Sequence, residues 1–114
     1  MIEITIPGLR PASKKNHRRN FGHISLPSLA YEKFHDLVAE YLLPYQEHIA
    51  TPFRIDVCYT IKGKYHQDLD NAVSSIMDVL QDYGVIADDE WCVESHATKC
   101  QGKDWKIVIF LEEV

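Results

Sequence analysis

The fold is decided by residues 53–84, which read FRIDVCYTIKGKYHQDLDNAVSSIMDVLQDYG. Apolar residues alternate with polar ones from Phe53 to Ile61, which is the period of a half-buried strand. A helix is predicted to begin near Asp70 and to stop at Gly84, a typical C-terminal glycine. The apolar residues of this helix share one face, namely Val73, Ile76, Met77 and Leu80. The stretch therefore predicts a strand, a short loop and a helix.

The sequence before this stretch predicts a strand and a second helix. Isoleucines alternate with polar residues from Ile2 to Ile6 and predict a first strand that Pro7-Gly8 ends. A short strand is expected at 23–26. An amphipathic helix is predicted from about Ser28 to Leu43, before Pro44. Its predicted apolar face comprises Ala30, Phe34, Leu37, Val38, Tyr41 and Leu42.

Two further strands are predicted after the acidic turn at 87–90. They run from Trp91 to about Lys99 and from Trp105 to Leu111, and the turn at 101–104 between them predicts a hairpin. The run 107–111 is apolar on both faces, which is typical of a central strand. The order β-α-β-α-β-β predicts one α/β (α+β) domain over residues 1–114, with a mixed sheet and two main helices.

Composition limits the class of protein. The chain has 114 residues, 46% of them hydrophobic and 25% charged, as expected of a folded globular domain. It has no run of about 18 apolar residues and no signal-peptide pattern at its start, which predicts a cytoplasmic protein without a membrane partner. The three cysteines form no CxxC pair and are expected to be reduced thiols.

Positive charge is concentrated in one segment although the chain carries a net charge of −5. There is no acidic residue between Glu3 and Glu32, and this segment contains five basic residues, namely Arg10, Lys14, Lys15, Arg18 and Arg19. The segment is either a solvated loop or an arm that contacts nucleic-acid phosphates, to which clustered lysine and arginine bind by releasing counterions. Asn16 adds hydrogen-bonding capacity to such an arm.

Aspartates provide the candidate chemistry. Asp68 and Asp70 are two residues apart, so their carboxylates can converge on one point in an extended lead-in. Asp88 and Asp89 come from a separate turn and could join them only if that turn folds back. Oxygen ligands of this kind suit Mg²⁺, which lowers the pKa of a bound water and stabilises charge on a phosphate. Alternatively, Asp70 is an N-cap, Asp68 a favourable anion near the helix dipole, and 88–90 a solvated turn.

The chain resembles the RusA-type Holliday junction resolvases of phages and prophages. The resemblance rests on Ile6-Pro7-Gly8, on Pro11-Ala12-Ser13-Lys14-Lys15-Asn16 and on a series of aspartate motifs over most of the chain. That series is Asp68-Leu69-Asp70-Asn71, then Asp78-Val79-Leu80, then Asp88-Asp89, with Lys99 ten residues beyond Asp89.

The resemblance implies a magnesium-dependent endonuclease, with Mn²⁺ as an alternative ion, that acts as a homodimer and nicks opposing strands of a four-way DNA junction during recombination and repair. It implies that Asp68, Asp70 and Asp89 carry the metal and that Lys99 is catalytic. The residues expected to contact DNA are Lys14, Lys15, Asn16, Arg18, Arg19, Lys62 and Lys64. Asp88 is expected to be a turn residue, with the ligand role as its alternative.

One position departs from the family pattern. The family usually has a lysine four residues after the second aspartate of the motif, and here that position is Ser74. Three consequences stay open: another base such as Lys99, Lys14 or Lys15 substitutes, activity is low, or the protein binds without cutting. The sequence therefore predicts a junction-resolving nuclease, with a catalytically weakened junction-binding protein as the alternative function.

Overall fold

The computed structural model describes residues 1–12, 19–22, 24–26, 29–63 and 69–114. The strands are β1 (Ile2–Pro7), β2 (Arg19–Phe21), β3 (Ile24–Leu26), β4 (Phe53–Lys62), β5 (Cys92–Gly102) and β6 (Lys106–Glu113). The helices are α1 (Leu29–Leu42) and α2 (Leu69–Asp82), and a 3-10 turn (Asp89–Trp91) precedes β5. The predicted order β-α-β-α-β-β is confirmed, with the small antiparallel β2–β3 ribbon added before α1.

The main sheet is mixed, as predicted, and its strand order is β1-β6-β4-β5. Strand β6 lies antiparallel between β1 and β4, which confirms the prediction of a central strand for 107–111. The prediction that β5 and β6 form a hairpin is wrong, because β4 lies between them and pairs in parallel with β5. The physical reason is that β6 is apolar on both faces and suits the interior of the sheet, whereas the sequence of β5 is mostly polar and suits an edge.

Both helices pack on one face of this sheet and share a single apolar core with β1, β4 and β6. In α1 the predicted core residues Phe34, Val38 and Leu42 are buried. The prediction is wrong for two residues of the apolar face of α1, because Ala30 is exposed and Leu37 is 43% exposed. The buried face is instead rotated towards Tyr31, which is buried. In the described part of the chain, neither helix has the length and apolarity needed to cross a membrane.

The turn after α2 depends on Gly84. Its φ of +77° lies in the left-handed region, and a Cβ at this position would lie 2.7 Å from Cε1 of His48. The backbone N–H of His48 also donates to the Gly84 carbonyl at 3.0 Å, which joins the end of α2 to the segment before β4. The glycine is therefore required both by its backbone conformation and by the close approach of His48.

Gly84→Ala is expected to lower the free energy of unfolding by at least about 1–2 kcal/mol, because alanine is strained at this φ and must also displace His48. Gly63→Ala is the matched control, since Gly63 has a φ of +69° but no atom within 4 Å of an added Cβ. Urea unfolding of both variants measures the difference. Equal destabilisation by the two changes would show that contact with His48 contributes nothing.

Candidate active site

Asp70 lies in the first turn of α2 with an exposed side chain. Because the helix begins at Leu69, Asp70 lies inside its first turn and not before it. The alternative interpretation of Asp70 as an N-cap is therefore wrong. A carboxylate in the first turn still interacts favourably with the helix dipole. Its predicted partner Asp68 lies outside the described residues.

Asp88 and Asp89 form the turn that leads into β5. The Asp88 carboxylate accepts a hydrogen bond from the Glu90 backbone N–H at 2.9 Å and so caps the 3-10 turn. The backbone N–H of Asp89 donates to Oε1 of Gln81 at 3.2 Å. Asp88 thus has the turn role expected of it, and Asp89 is held beside the C-terminal end of α2.

The structure does not bring Asp70 and Asp89 together within one chain. Gln81, which holds Asp89, lies eleven residues after Asp70 on the same helix, or about 16 Å along its axis. The pairing of β4 with β5 also separates Asp70 from Asp89. The β4–β5 pair runs from Phe53 beside Cys92 to Lys62 beside Gly102, which is about 30 Å of strand. Because α2 crosses back over this pair, Asp70 lies near its Lys62 end and Asp89 lies near its Phe53 end.

Lys99 lies towards the same end of the sheet as Asp70. It pairs with Tyr59, whose side chain is buried beneath the helices, so Lys99 is on the helix-covered face of β5. Ser74 follows Asp70 by one turn of α2 and is half-buried. Asp70, Ser74 and Lys99 therefore share one end of the strand–helix–strand unit, and Asp89 of the same chain does not.

The aspartates offer the hard oxygen donors that Mg²⁺ prefers, and Asp70 is open to solvent, so the donor type fits this ion. Over residues 1–12, 19–22, 24–26, 29–63 and 69–114, no group of three His, Cys, Asp or Glu side chains lies together as a metal site. Asp68 lies outside these residues. Of the three predicted aspartates, Asp70 and Asp89 are the two described ones, and they lie at opposite ends of α2.

A basic cleft lies at the end of the sheet where Lys62 terminates β4. It has a volume of about 730 Å³ and is lined by Pro7, Gly8, Thr60, Lys62, Lys103, Asp104, Trp105 and Lys106. Lys62 was predicted to contact DNA. Lys103 was missed because 101–104 was interpreted only as a hairpin turn, and Lys106 because it was interpreted only as part of a strand. The strand register brings the three lysines together, because Lys106 pairs with Thr60 and Gly102 pairs with Lys62.

The other predicted DNA-contacting residues belong to the segments around the β2–β3 ribbon and after β4. Arg19 begins strand β2. The rest lie outside the described residues, namely Lys14, Lys15, Asn16, Arg18 and Lys64.

A separate group of charges lies at the Asp89 end of the sheet, across β4 and β5. Nε of Arg54 lies 2.6 Å from Oε2 of Glu94, and Nε2 of His96 lies 2.8 Å from Oε1 of the same carboxylate. The hydrogen bond from His96 and the Arg54 charge hold the pKa of Glu94 below its usual value, and the same hydrogen bond raises the pKa of His96. All three side chains are exposed, so solvent screens the attraction between their charges, and these contacts contribute little to the free energy of unfolding.

The family model described as Endodeoxyribonuclease RusA matches residues 7–112 of the chain. The match spans every helix and strand from the start of the basic segment to β6, including all the predicted site residues. No curated protein matches the chain in sequence.

Proposed function

Because the chain belongs to the RusA family of endodeoxyribonucleases, we propose that it resolves four-way DNA junctions in recombination and repair by magnesium-dependent nicking of opposing strands. The observation that supports this function is the match over nearly the whole chain. Asp70, with its exposed carboxylate, and Lys99 lie towards the same end of the sheet, which is consistent with phosphodiester hydrolysis.

The proposed metal ligands are Asp68, Asp70 and Asp89, with Mg²⁺ as the ion and Mn²⁺ as its alternative. When bound, the ion supplies a Lewis acid for the scissile phosphate and lowers the pKa of a bound water. Lys99 is proposed to place positive charge near the developing negative charge of the phosphate, from the helix-covered face of β5.

Asp89 is proposed to reach this site from a second protomer. The carboxylates that share one Mg²⁺ must each approach to about 2.1 Å, and Asp89 is held at the far end of α2 from Asp70 of its own chain. A C2 homodimer that places Asp89 of each protomer beside Asp70 of the other forms two equivalent sites. Two sites related by a two-fold axis also match the symmetry of a four-way junction and the need for paired nicks.

A synthetic four-way junction, incubated with the protein with and without Mg²⁺, tests this function. Symmetric nicks in opposing strands that depend on the ion are the expected result, with a linear duplex of the same sequence left uncut. Tight junction binding without cleavage in either Mg²⁺ or Mn²⁺ would instead support the junction-binding protein. Ser74 is the observation that favours this second function, because it stands where the family usually has a lysine.

Ser74→Lys is expected to raise single-turnover cleavage by about tenfold or more, with little change in junction affinity. A lysine here adds positive charge one turn from Asp70, whereas the serine hydroxyl can only donate a hydrogen bond. The helix should tolerate the change because lysine is at least as good a helix former as serine.

Ala30→Lys is the control for Ser74→Lys, since it adds the same charge at an exposed position in the first turn of α1. Cleavage should rise only in the Ser74 variant. An equal rise in both variants would show that net charge alone is responsible. An unchanged rate for Ser74→Lys, together with loss of cleavage in Lys99→Ala, would show that Lys99 already supplies the charge.

A further inference from the structure

We propose that the cleft lined by Lys62, Lys103 and Lys106 binds the sugar–phosphate backbone of one junction arm and directs that arm towards the Asp70 end of the sheet. The inference rests on the proposed function, because that function makes branched DNA the ligand. It adds a set of phosphate contacts at the strand ends, next to the basic segment, whose Arg10 lies over Trp105 in the wall of the cleft.

Three elements bring the positive charges together. Lys62 ends β4, Lys106 begins β6, and Lys103 comes from the turn between β5 and β6. Lys106 pairs with Thr60, which is two residues before Lys62 on the same face, so the two lysines are diagonal neighbours within reach of one ligand. Asp104 is the acidic residue that faces the same cleft. The lining is therefore net positive in a chain whose net charge is −5.

The wall of the cleft is held in place by aromatic packing. The Trp105 ring stacks on Tyr59 with centroids 6.1 Å apart and an interplanar angle of 25°, and the Arg10 guanidinium lies 5.9 Å from the Trp105 centroid. The Trp105 carbonyl accepts a hydrogen bond from the Gly8 N–H at 2.6 Å. Burial raises the pKa of Tyr59 to about 12, against the opposing effect of Arg10, so the ring beneath Trp105 stays neutral.

The turn that carries Lys103 is also fastened to β4. A Cβ on Gly102 would lie 2.5 Å from Cγ2 of Thr60, so a side chain there would push the turn away from the strand. The Gln101 amide donates to the Gly63 carbonyl at 2.9 Å and joins the ends of β5 and β4. Lys103 is thus presented from a fixed position, which lowers the entropy lost when a phosphate binds.

The donors in the cleft suit phosphates better than bases. Lysine ammonium groups donate to phosphate oxygens without reading sequence. The acceptors that could read a base edge are confined to the Asp104 carboxylate and the Thr60 hydroxyl among the lining side chains. The volume of about 730 Å³ is sufficient for a backbone segment. Thr60, Lys62 and Lys106 lie on the face of the sheet away from the helices. Because β4 leads from Lys62 towards α2, a strand held here reaches Asp70 by passing around the end of the sheet that they share.

Lys103→Ala/Lys106→Ala is expected to weaken binding to junctions of every sequence and to lower the slope of log affinity against log salt by about 2, at about 0.9 per phosphate contact. Lys33→Ala, compared with Lys103→Ala alone, is the matched control, because it removes the same single charge from an exposed position on α1 outside the cleft. Fluorescence anisotropy of a labelled junction over a salt series gives the slope for each variant. Lys103→Arg/Lys106→Arg should keep the wild-type slope.

Asp104→Asn provides a test of opposite sign. Removing this acid is expected to tighten junction binding about threefold, as an exposed like-charge contact with phosphate would predict, whereas a turn that serves only the fold would bind no better. An unchanged salt slope in the double lysine variant, or an equal fall in the control, would contradict phosphate binding in the cleft. Cleavage by the wild type would still support the nuclease function in that case. If the double lysine variant lowers the salt slope but the wild type binds junctions without cutting them, phosphate binding in the cleft is supported and the nuclease function is contradicted.

Discussion

Asp70→Asn is expected to abolish magnesium-dependent junction cleavage while junction binding stays unchanged or becomes tighter. The substitution removes a negative ligand for the proposed ion and also a negative charge that repels phosphate. Loss of one preorganised group at a reacting phosphate typically costs at least about a hundredfold in rate. Single-turnover cleavage and anisotropy on the same junction measure the two effects separately.

The helix contribution of Asp70 can be distinguished from its proposed catalytic role. A first-turn carboxylate stabilises a helix by about 0.3–1 kcal/mol, so a purely structural role predicts a slightly lower melting temperature and near-normal cleavage. Asp36→Asn is the control, because Asp36 is exposed on α1 and its loss changes net charge equally. Cleavage by Asp70→Asn within a few-fold of the control would contradict the metal-binding role.

The sequence predicted the elements of the fold well, because each has a clear period. The alternation at 53–61 and the apolar run at 107–111 were confirmed as β4 and as the central strand β6. The hairpin prediction failed because a turn signal at 101–104 identifies a change of direction and not which strands become neighbours. Pairing was decided by burial, since β6 can be covered on both faces and β5 cannot.

The site was harder to predict than the fold. Sequence motifs placed Asp70 at a helix start and Asp88 in a turn, and the structure has them there. They indicated that Asp89 could join Asp70 only if its turn folded back, and they could not show that it does not, because that depends on the contact of Asp89 with Gln81 at the far end of α2. The lysines at 62, 103 and 106 converge for the same kind of reason, through strand register between distant segments.

Mixing two inactive proteins is expected to restore cleavage if each site is built from two protomers. Asp70→Asn and Asp89→Asn should each be inactive alone. In a mixed dimer, one site combines the intact Asp70 of one chain with the intact Asp89 of the other, and the second site carries both substitutions. Random exchange makes about half of the C2 dimers mixed, so total nicking should recover to about a quarter of the wild-type level.

The mixture also distinguishes the two possible arrangements of the site. If Asp70 and Asp89 of the same chain shared one ion, every site in the mixture would contain one substitution, and no activity would return. Asp70→Asn mixed with Asp70→Asn/Asp89→Asn is the matched control, because no pairing of these chains restores an intact site. Recovered products should be singly nicked junctions rather than resolved duplexes, since a mixed dimer has one working site and resolution requires two. Recovery of full resolution, or equal recovery in the control, would contradict a site shared between protomers.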